Sequence, residues 1–294
     1  MTCYHPIHGY LIPDVGFRMY DLRGKGRPQT VPCGQCIGCR QMRSIHTAIR
    51  CVHESQTHER NCFITLTFND QHNPWTLDHT IWQLFMKRLR RQFHDGIKFY
   101  MCGEYGDQYG RPHFHACLFG VDFDDRVLIA KRADSRLYTS EHLQSIWTDP
   151  ISKMPLGFVS IGDVSFQSAG YISRYIMKRI TGPDAEEHYR GRKPEYNRFS
   201  NRHAIGYTWF QKYGMTDVYP HDRVILKGKR LPVPRYYDRL LELADPYMLD
   251  EVKHNRYLNF KSLLDDHSPD RLLVKEAVHS ARLSLLTRGV DNVT

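Results

Sequence analysis

Residues 62–68 read Cys-Phe-Ile-Thr-Leu-Thr-Phe, β-branched or aromatic at nearly every position, and the run stops at Asn69-Asp70. Such a pattern predicts a short buried strand. Ahead of it, from 37 to about 58, Ile45, Ala48, Ile49 and Val52 form one stripe of a helix. Behind it, Ile81, Leu84, Phe85, Leu89 and Phe93 fall at helical spacing, with Lys87, Arg88, Arg90 and Arg91 mostly on the opposite face. Two more strands follow at 97–104 and 113–119, joined by a segment whose Gly106, Gly110 and Pro112 suit a hairpin loop. A short strand at 157–161 leads into a helix from about Phe166 to Ile180, with Ser165 as its N-cap and Gly182-Pro183 as its stop.

Strands and helices alternate, yet the central hairpin is antiparallel. The pattern therefore predicts an α+β fold, a central antiparallel sheet with helices on one side. Residues 1–32, rich in Pro, Gly and Arg, read as an irregular arm, and after residue 185 the chain is basic, aromatic and broken by prolines. The expected division is 1–60 (arm and cysteine-cluster helix), 61–185 (core) and 186–294 (basic aromatic extension).

Composition adds a direction. Lys and Arg outnumber Asp and Glu by 41 to 32, giving a net charge of +9, which points to a polyanionic partner. Cations and rings interleave over 186–237, the composition of a groove for single-stranded nucleic acid; Arg190, Arg192, Lys193, Arg198 and Arg202 are its candidate phosphate contacts. No run nears the ~18 apolar residues of a membrane span, so no membrane partner is expected. No phosphate-binding Gly-rich loop with Lys-Ser/Thr occurs, so no nucleotide cofactor is expected. Eight cysteines without a secretory signal suit a reducing cytoplasm.

Three constellations carry chemistry. In His113-Phe114-His115 the two imidazoles share one face of a strand, and a hairpin can fold Glu104 back beside them; two imidazoles and a carboxylate leave open positions, as a catalytic metal site requires. On the helix that follows, Tyr171, Tyr175 and Lys178 share a face, each tyrosine having a cation three residues on (Arg174 and Lys178), while Ala169, Ile172 and Ile176 make a neighbouring apolar stripe. A phenol becomes a useful nucleophile when a neighbouring cation stabilises its anion. Together these describe attack of a tyrosine on a phosphodiester beside a divalent ion, Mg²⁺ or Mn²⁺. The third is Cys33-x-x-Cys36-x-x-Cys39, a half-site for structural zinc or an iron–sulfur centre, with Cys3, His5, His8 or His46 as candidate fourth ligand.

Phe63 to Phe68, His113-Phe114-His115 and the two-tyrosine helix, in that order, resemble the motifs of rolling-circle initiators of the HUH endonuclease superfamily. Cys102-Gly103-Glu104-Tyr105-Gly106, Arg111 to His115, Tyr171 to Lys178, Val31 to Arg40 and Thr216 to Asp222 resemble the gokushovirus type of the microviruses, over about residues 30 to 240. The resemblance implies a ferredoxin-like or RRM-like palm and site-specific nicking and joining of single-stranded DNA at a phage origin. It implies a 5′-phosphotyrosine intermediate with two alternating tyrosines, in the host bacterial cytoplasm, with host helicase and polymerase as partners. Arg174 stands where the family often has a second lysine; Tyr175, followed by Lys178, is expected to cut first. Rival readings are a transposase or plasmid relaxase of the same chemistry, a zinc-organised DNA-binding regulator, and a non-haem metal oxygenase.

Overall fold

A computed structural model of the chain describes residues 3–21, 24–106, 109–132, 135–178, 180 and 182–285, with the side chains of residues 132, 135 and 174–178 outside that description. The chain divides into two compact units, Met1–Arg43 with Asp250–Thr294, and Ser44–Leu249. In chain order the elements are β1 (Ile7–Ile12), β2 (Gly16–Arg18), β3 (Arg27–Val31), α1 (Ile37–Ser55), β4 (Asn61–Thr67), α2 (His79–Gln92), β5 (Lys98–Tyr105), β6 (Pro112–Phe119), β7 (Val127–Arg132), β8 (Ser135–Thr139) and α3 (Glu141–Ile146). They continue as β9 (Val159–Gly162), α4 (Phe166–Lys178), α5 (Asp184–Tyr189), β10 (Tyr196–Phe199), α6 (Tyr207–Tyr213), β11 (Val224–Leu226), β12 (Lys229–Leu231), α7 (Arg235–Ala244), α8 (Pro246–Lys261) and α9 (Pro269–Ser284). Among the described residues no helix is long and apolar enough to cross a membrane.

The first unit corrects the reading of residues 1–32 as an irregular arm. They form a three-stranded antiparallel sheet of order β2-β1-β3. The pattern was silent there because the strands bury little: β3 is exposed at four of its five positions, so no alternation marks it.

The second unit is built on a seven-stranded antiparallel sheet of order β10-β5-β6-β4-β9-β8-β7. Its centre, β5-β6-β4-β9 with α2 and α3 as crossovers, has the connectivity of the ferredoxin-like βαββαβ unit. On one face Trp82, Phe85, Met86 and Leu89 of α2 and Leu143 and Ile146 of α3 pack on Ile64, Leu66, Phe114 and Leu118. On the other, Ala48 and Cys51 of α1 and Ala169 and Ile172 of α4 pack on Phe63, Tyr100, Cys102, Cys117 and Phe119. Helices thus cover both faces, where one was expected. The cause is in the strands: β6 alternates Phe114, Ala116 and Leu118 with Cys117 and Phe119, so both sides are apolar and both need cover. Within α2, Trp82 and Met86 take the buried stripe and Leu84 faces solvent.

Two further differences concern the sheet's edges. β7 and β8, unread from the sequence, extend it beyond β9. β10 pairs with β5, Asn197 opposite Cys102, so the boundary expected at 185 falls inside this unit.

Candidate active site

β5 and β6 pair with Glu104 opposite His113 and Cys102 opposite His115. β4 lies on the other side of β6, with Thr67 opposite His113 and Thr65 opposite His115. Strand alternation puts Glu104, His113, His115, Thr65 and Thr67 on one face, the face that α4 covers. All lie at the end of the sheet where the β5–β6 hairpin turns. Gly106 opens that turn, and a Cβ there would come within 2.9 Å of His113 Cε1, so its glycine leaves the ring its room.

Polar contacts fix the rings. His115 Nε2 lies 2.6 Å from Glu104 Oε1, both side chains buried, and His115 Nδ1 lies 2.8 Å from Thr65 Oγ1. His113 Nδ1 donates to the Arg111 carbonyl at 2.7 Å, which leaves its Nε2 lone pair for a ligand. Burial, with His115 beside it, pushes the His113 imidazole down to about 4, so it is neutral at physiological pH, the form that binds a metal. The two rings are nearly parallel, 7° between planes and 6.4 Å between centres. Glu104 and His115 are therefore in contact, with His113 one ring-spacing away.

α4 brings the tyrosines. Ser165 Oγ accepts the Ser168 N–H at 3.0 Å and caps the helix as its sequence suggested. Ala169 and Ile172 dock it on the sheet. A polar clamp the sequence did not reveal pins its middle: Ser173 Oγ meets Tyr100 Oη at 3.0 Å, and Asn197 Nδ2 donates to Tyr100 Oη at 2.6 Å and to the Ile172 carbonyl at 3.0 Å. The Tyr171 ring meets His115 edge-on, centres 5.2 Å apart, and also contacts Phe63 at 6.4 Å. Arg174, Tyr175 and Lys178 belong to the same helix, but their side chains, like that of Ile176, lie outside the described residues.

The basic residues separate. Arg192 stacks over the Tyr105 ring at 4.4 Å and reaches the Gly110 carbonyl at 3.4 Å, at the hairpin end. Lys193 is tied there by its backbone, its carbonyl accepting from Tyr105 Oη at 2.9 Å and its N–H donating to Thr76 Oγ1 at 2.8 Å. Asn197 turns toward α4, so its neighbours Tyr196 and Arg198 point to the opposite face, away from Glu104 and the histidines. Arg190 is exposed after α5, and Arg202 is exposed beyond β10. One aromatic escaped the sequence reading. Phe158 pairs with Thr67 through the Thr67 N–H at 3.0 Å and is 77% exposed. Alternation from buried Val159 sets its ring on the histidine face.

In the first unit, Cys33, Cys36 and Cys39 are joined by Cys3, and the four Sγ atoms all lie within 4.8 Å of one another, a group that could hold a metal ion. The other candidates for fourth ligand have different partners: His5 meets Glu276, His8 meets Thr30 Oγ1, and His46 accepts the Arg235 N–H.

A family model of replication-associated proteins, described as ORF2 or gene 2 protein, matches residues 61–180, the stretch from β4 to α4. The replication-associated protein VP4 of Bdellovibrio phage phiMH2K is 34% identical over 250 residues, covering 81% of this chain and 75% of that protein. The replication-associated protein ORF2 of Spiroplasma virus 4 is 33% identical over 251 residues, covering 77% and 73%. The replication-associated protein ORF4 of Chlamydia phage 1 is 31% identical over 223 residues, covering 72% and 53%. No solved structure matches the chain.

Proposed function

The chain belongs to the family of phage replication-associated proteins, and on that premise we propose that it initiates rolling-circle replication by nicking and rejoining single-stranded DNA at a phage origin. The observation that carries this reading is the grouping on one sheet face of a carboxylate, two imidazoles and a tyrosine ring 5.2 Å from one of them. No bland packing role needs that set together at a sheet end.

The donor set fits a divalent ion: Glu104 supplies an oxygen, His113 an available Nε2, and His115 a ring already against Glu104. Two imidazoles suit Mn²⁺ better than Mg²⁺, which prefers an all-oxygen shell. Bound there, the ion would neutralise charge on a non-bridging phosphate oxygen. Thr65 and the Arg111 carbonyl hold the two rings in orientation. Tyr171 or Tyr175 supplies the nucleophile. Its Oη–P bond forms as the P–O3′ bond breaks, the phenol proton goes to solvent, and O3′ gains a proton. The products are a 5′-phosphotyrosine and a free 3′-OH. The link conserves the bond energy, so the reverse attack rejoins the strand without ATP. Arg174 and Lys178, one helical turn beyond each tyrosine, favour the phenolate, and the two tyrosines alternate between cutting and transfer. Arg190, Arg192, Lys193 and Arg202 serve the phosphate backbone, and Arg198, on the far sheet face, would meet DNA only beyond the cut. Host helicase and polymerase supply unwinding and synthesis in the host cytoplasm.

The test is formation of a denaturant-resistant protein–DNA adduct on circular single-stranded phage DNA with Mn²⁺ or Mg²⁺. Wild type is expected to form it, with a polymerase-extendable 3′ end, and the Tyr171→Phe, Tyr175→Phe double variant is expected to form none. Adduct in the double variant, or metal-independent cleavage by wild type, overturns the reading.

A further inference from the structure

The geometry points to a structural zinc ion held by four thiolates, Cys3, Cys33, Cys36 and Cys39, which staples the start of the chain to the head of α1. Tetrahedral zinc–thiolate bonds of about 2.3 Å set the sulfurs about 3.8 Å apart. Cys36 Sγ and Cys3 Sγ stand 3.9 Å apart, and no pair among the four exceeds 4.8 Å. A disulfide needs its sulfurs at about 2.05 Å, and all four cysteines are free. An iron–sulfur cluster places several irons between its thiolates and spreads them wider than one ion does.

The backbone around the sulfurs is arranged for anions. Cys33 Sγ accepts the N–H groups of Gln35 at 3.4 Å and Cys36 at 3.3 Å. Cys3 Sγ accepts the Cys33 N–H at 3.2 Å, and Cys36 Sγ the Tyr4 N–H at 3.4 Å. Gly34, at φ +75°, makes the turn that aims two of those N–H groups at one sulfur. Such N–H donors stabilise thiolates, the form that ligates, and metal binding releases the thiol protons to solvent. Four sulfurs saturate a tetrahedral ion and leave no open position, so the ion's work is structural.

Its place in the first unit says what it organises. Cys3 sits in the segment before β1, Cys33 and Cys36 in the turn after β3, and Cys39 in the first turn of α1. Beside Cys3, Tyr4 Oη bonds His279 Nδ1 at 2.9 Å and His5 Nε2 bonds Glu276 Oε2 at 2.7 Å, both partners on α9. Holding Cys3 therefore holds the segment on which α9 rests.

Elemental analysis of the full chain, purified without chelator, is expected to find roughly one zinc per chain. Replacement by Co²⁺ is expected to give the intense visible bands of tetrahedral cobalt–thiolate. Cys3→Ser, a change in the first residues that leaves the rest of the chain able to fold, is expected to lower zinc at least about tenfold and to speed proteolysis within α9, while adduct formation on single-stranded DNA persists. Cys36→Ser is expected to lose zinc likewise. Zinc-free protein, iron in place of zinc, or a Cys3→Ser variant with full zinc each overturns the proposal. Metal content is read without DNA cleavage, so this test and the nicking test fail independently.

Discussion

Thr65 touches no substrate-facing position, yet its hydroxyl sits 2.8 Å from His115 Nδ1 on the side of the ring away from Glu104. A partner on the far nitrogen decides which nitrogen carries the proton and how the ring is turned, and losing such a partner lowers metal affinity or activity about 10–100-fold. Thr65→Val keeps the shape and removes the hydroxyl. Its Mn²⁺ concentration for half-maximal adduct formation should rise by that factor, with Thr65→Ser near wild type. An unchanged metal requirement in Thr65→Val would mean the hydroxyl only fills space.

At the scale of elements, the site depends on how closely β9 approaches the end of β4. A Cβ at Gly157 would run into the Thr67 carbonyl and the Phe68 backbone, so only glycine lets the chain pass there. Thr67 in turn stands opposite His113. Gly157→Ala should therefore cost about 1–3 kcal/mol, the usual penalty for forcing atoms into a packed site, seen as a lower urea midpoint at unchanged slope. A variant as stable as wild type would mean that β9 yields freely. α4 is held differently: Ala169 and Ile172 supply the apolar contact, and Ser173, Tyr100 and Asn197 fix its rotation through the clamp.

At the scale of the whole molecule, one buried histidine ties stability to pH. His53 is 1% exposed, stacks on Trp209 with ring centres 3.4 Å apart and meets Tyr237 Oη at 2.8 Å. Burial pushes its imidazole down to about 3 from an ordinary 6.5. Between those values the unfolded chain binds a proton that the folded chain refuses, so the stabilisation is complete above about 6.5 and is lost progressively as pH falls toward 3. At pH 5, about 1.5 units below the unfolded value, the loss from this group is about 2 kcal/mol. Urea unfolding at pH 7 and pH 5 measures it, and His53→Phe should flatten the difference. An equal drop in that variant would assign the acid sensitivity to other groups.

The core strands, the helices before and after them, and the residues Glu104, His113, His115 and Tyr171 were legible in the linear pattern, because period-2 and period-3.6 spacing and residue chemistry are local properties of a chain. The side chains of Tyr175, Arg174 and Lys178 stay as the sequence left them, named but outside the described residues. Tertiary structure alone decided the rest. Cys3 and Cys39 are separated by 35 residues and meet through chain folding that no spacing encodes. Asn197, read as part of a basic extension, became the clamp on α4 because β10 returns to pair with β5. Helices cover both sheet faces because apolar strand faces exclude water wherever they point, and which helix supplies the cover is settled by long-range contact, not by any local signal.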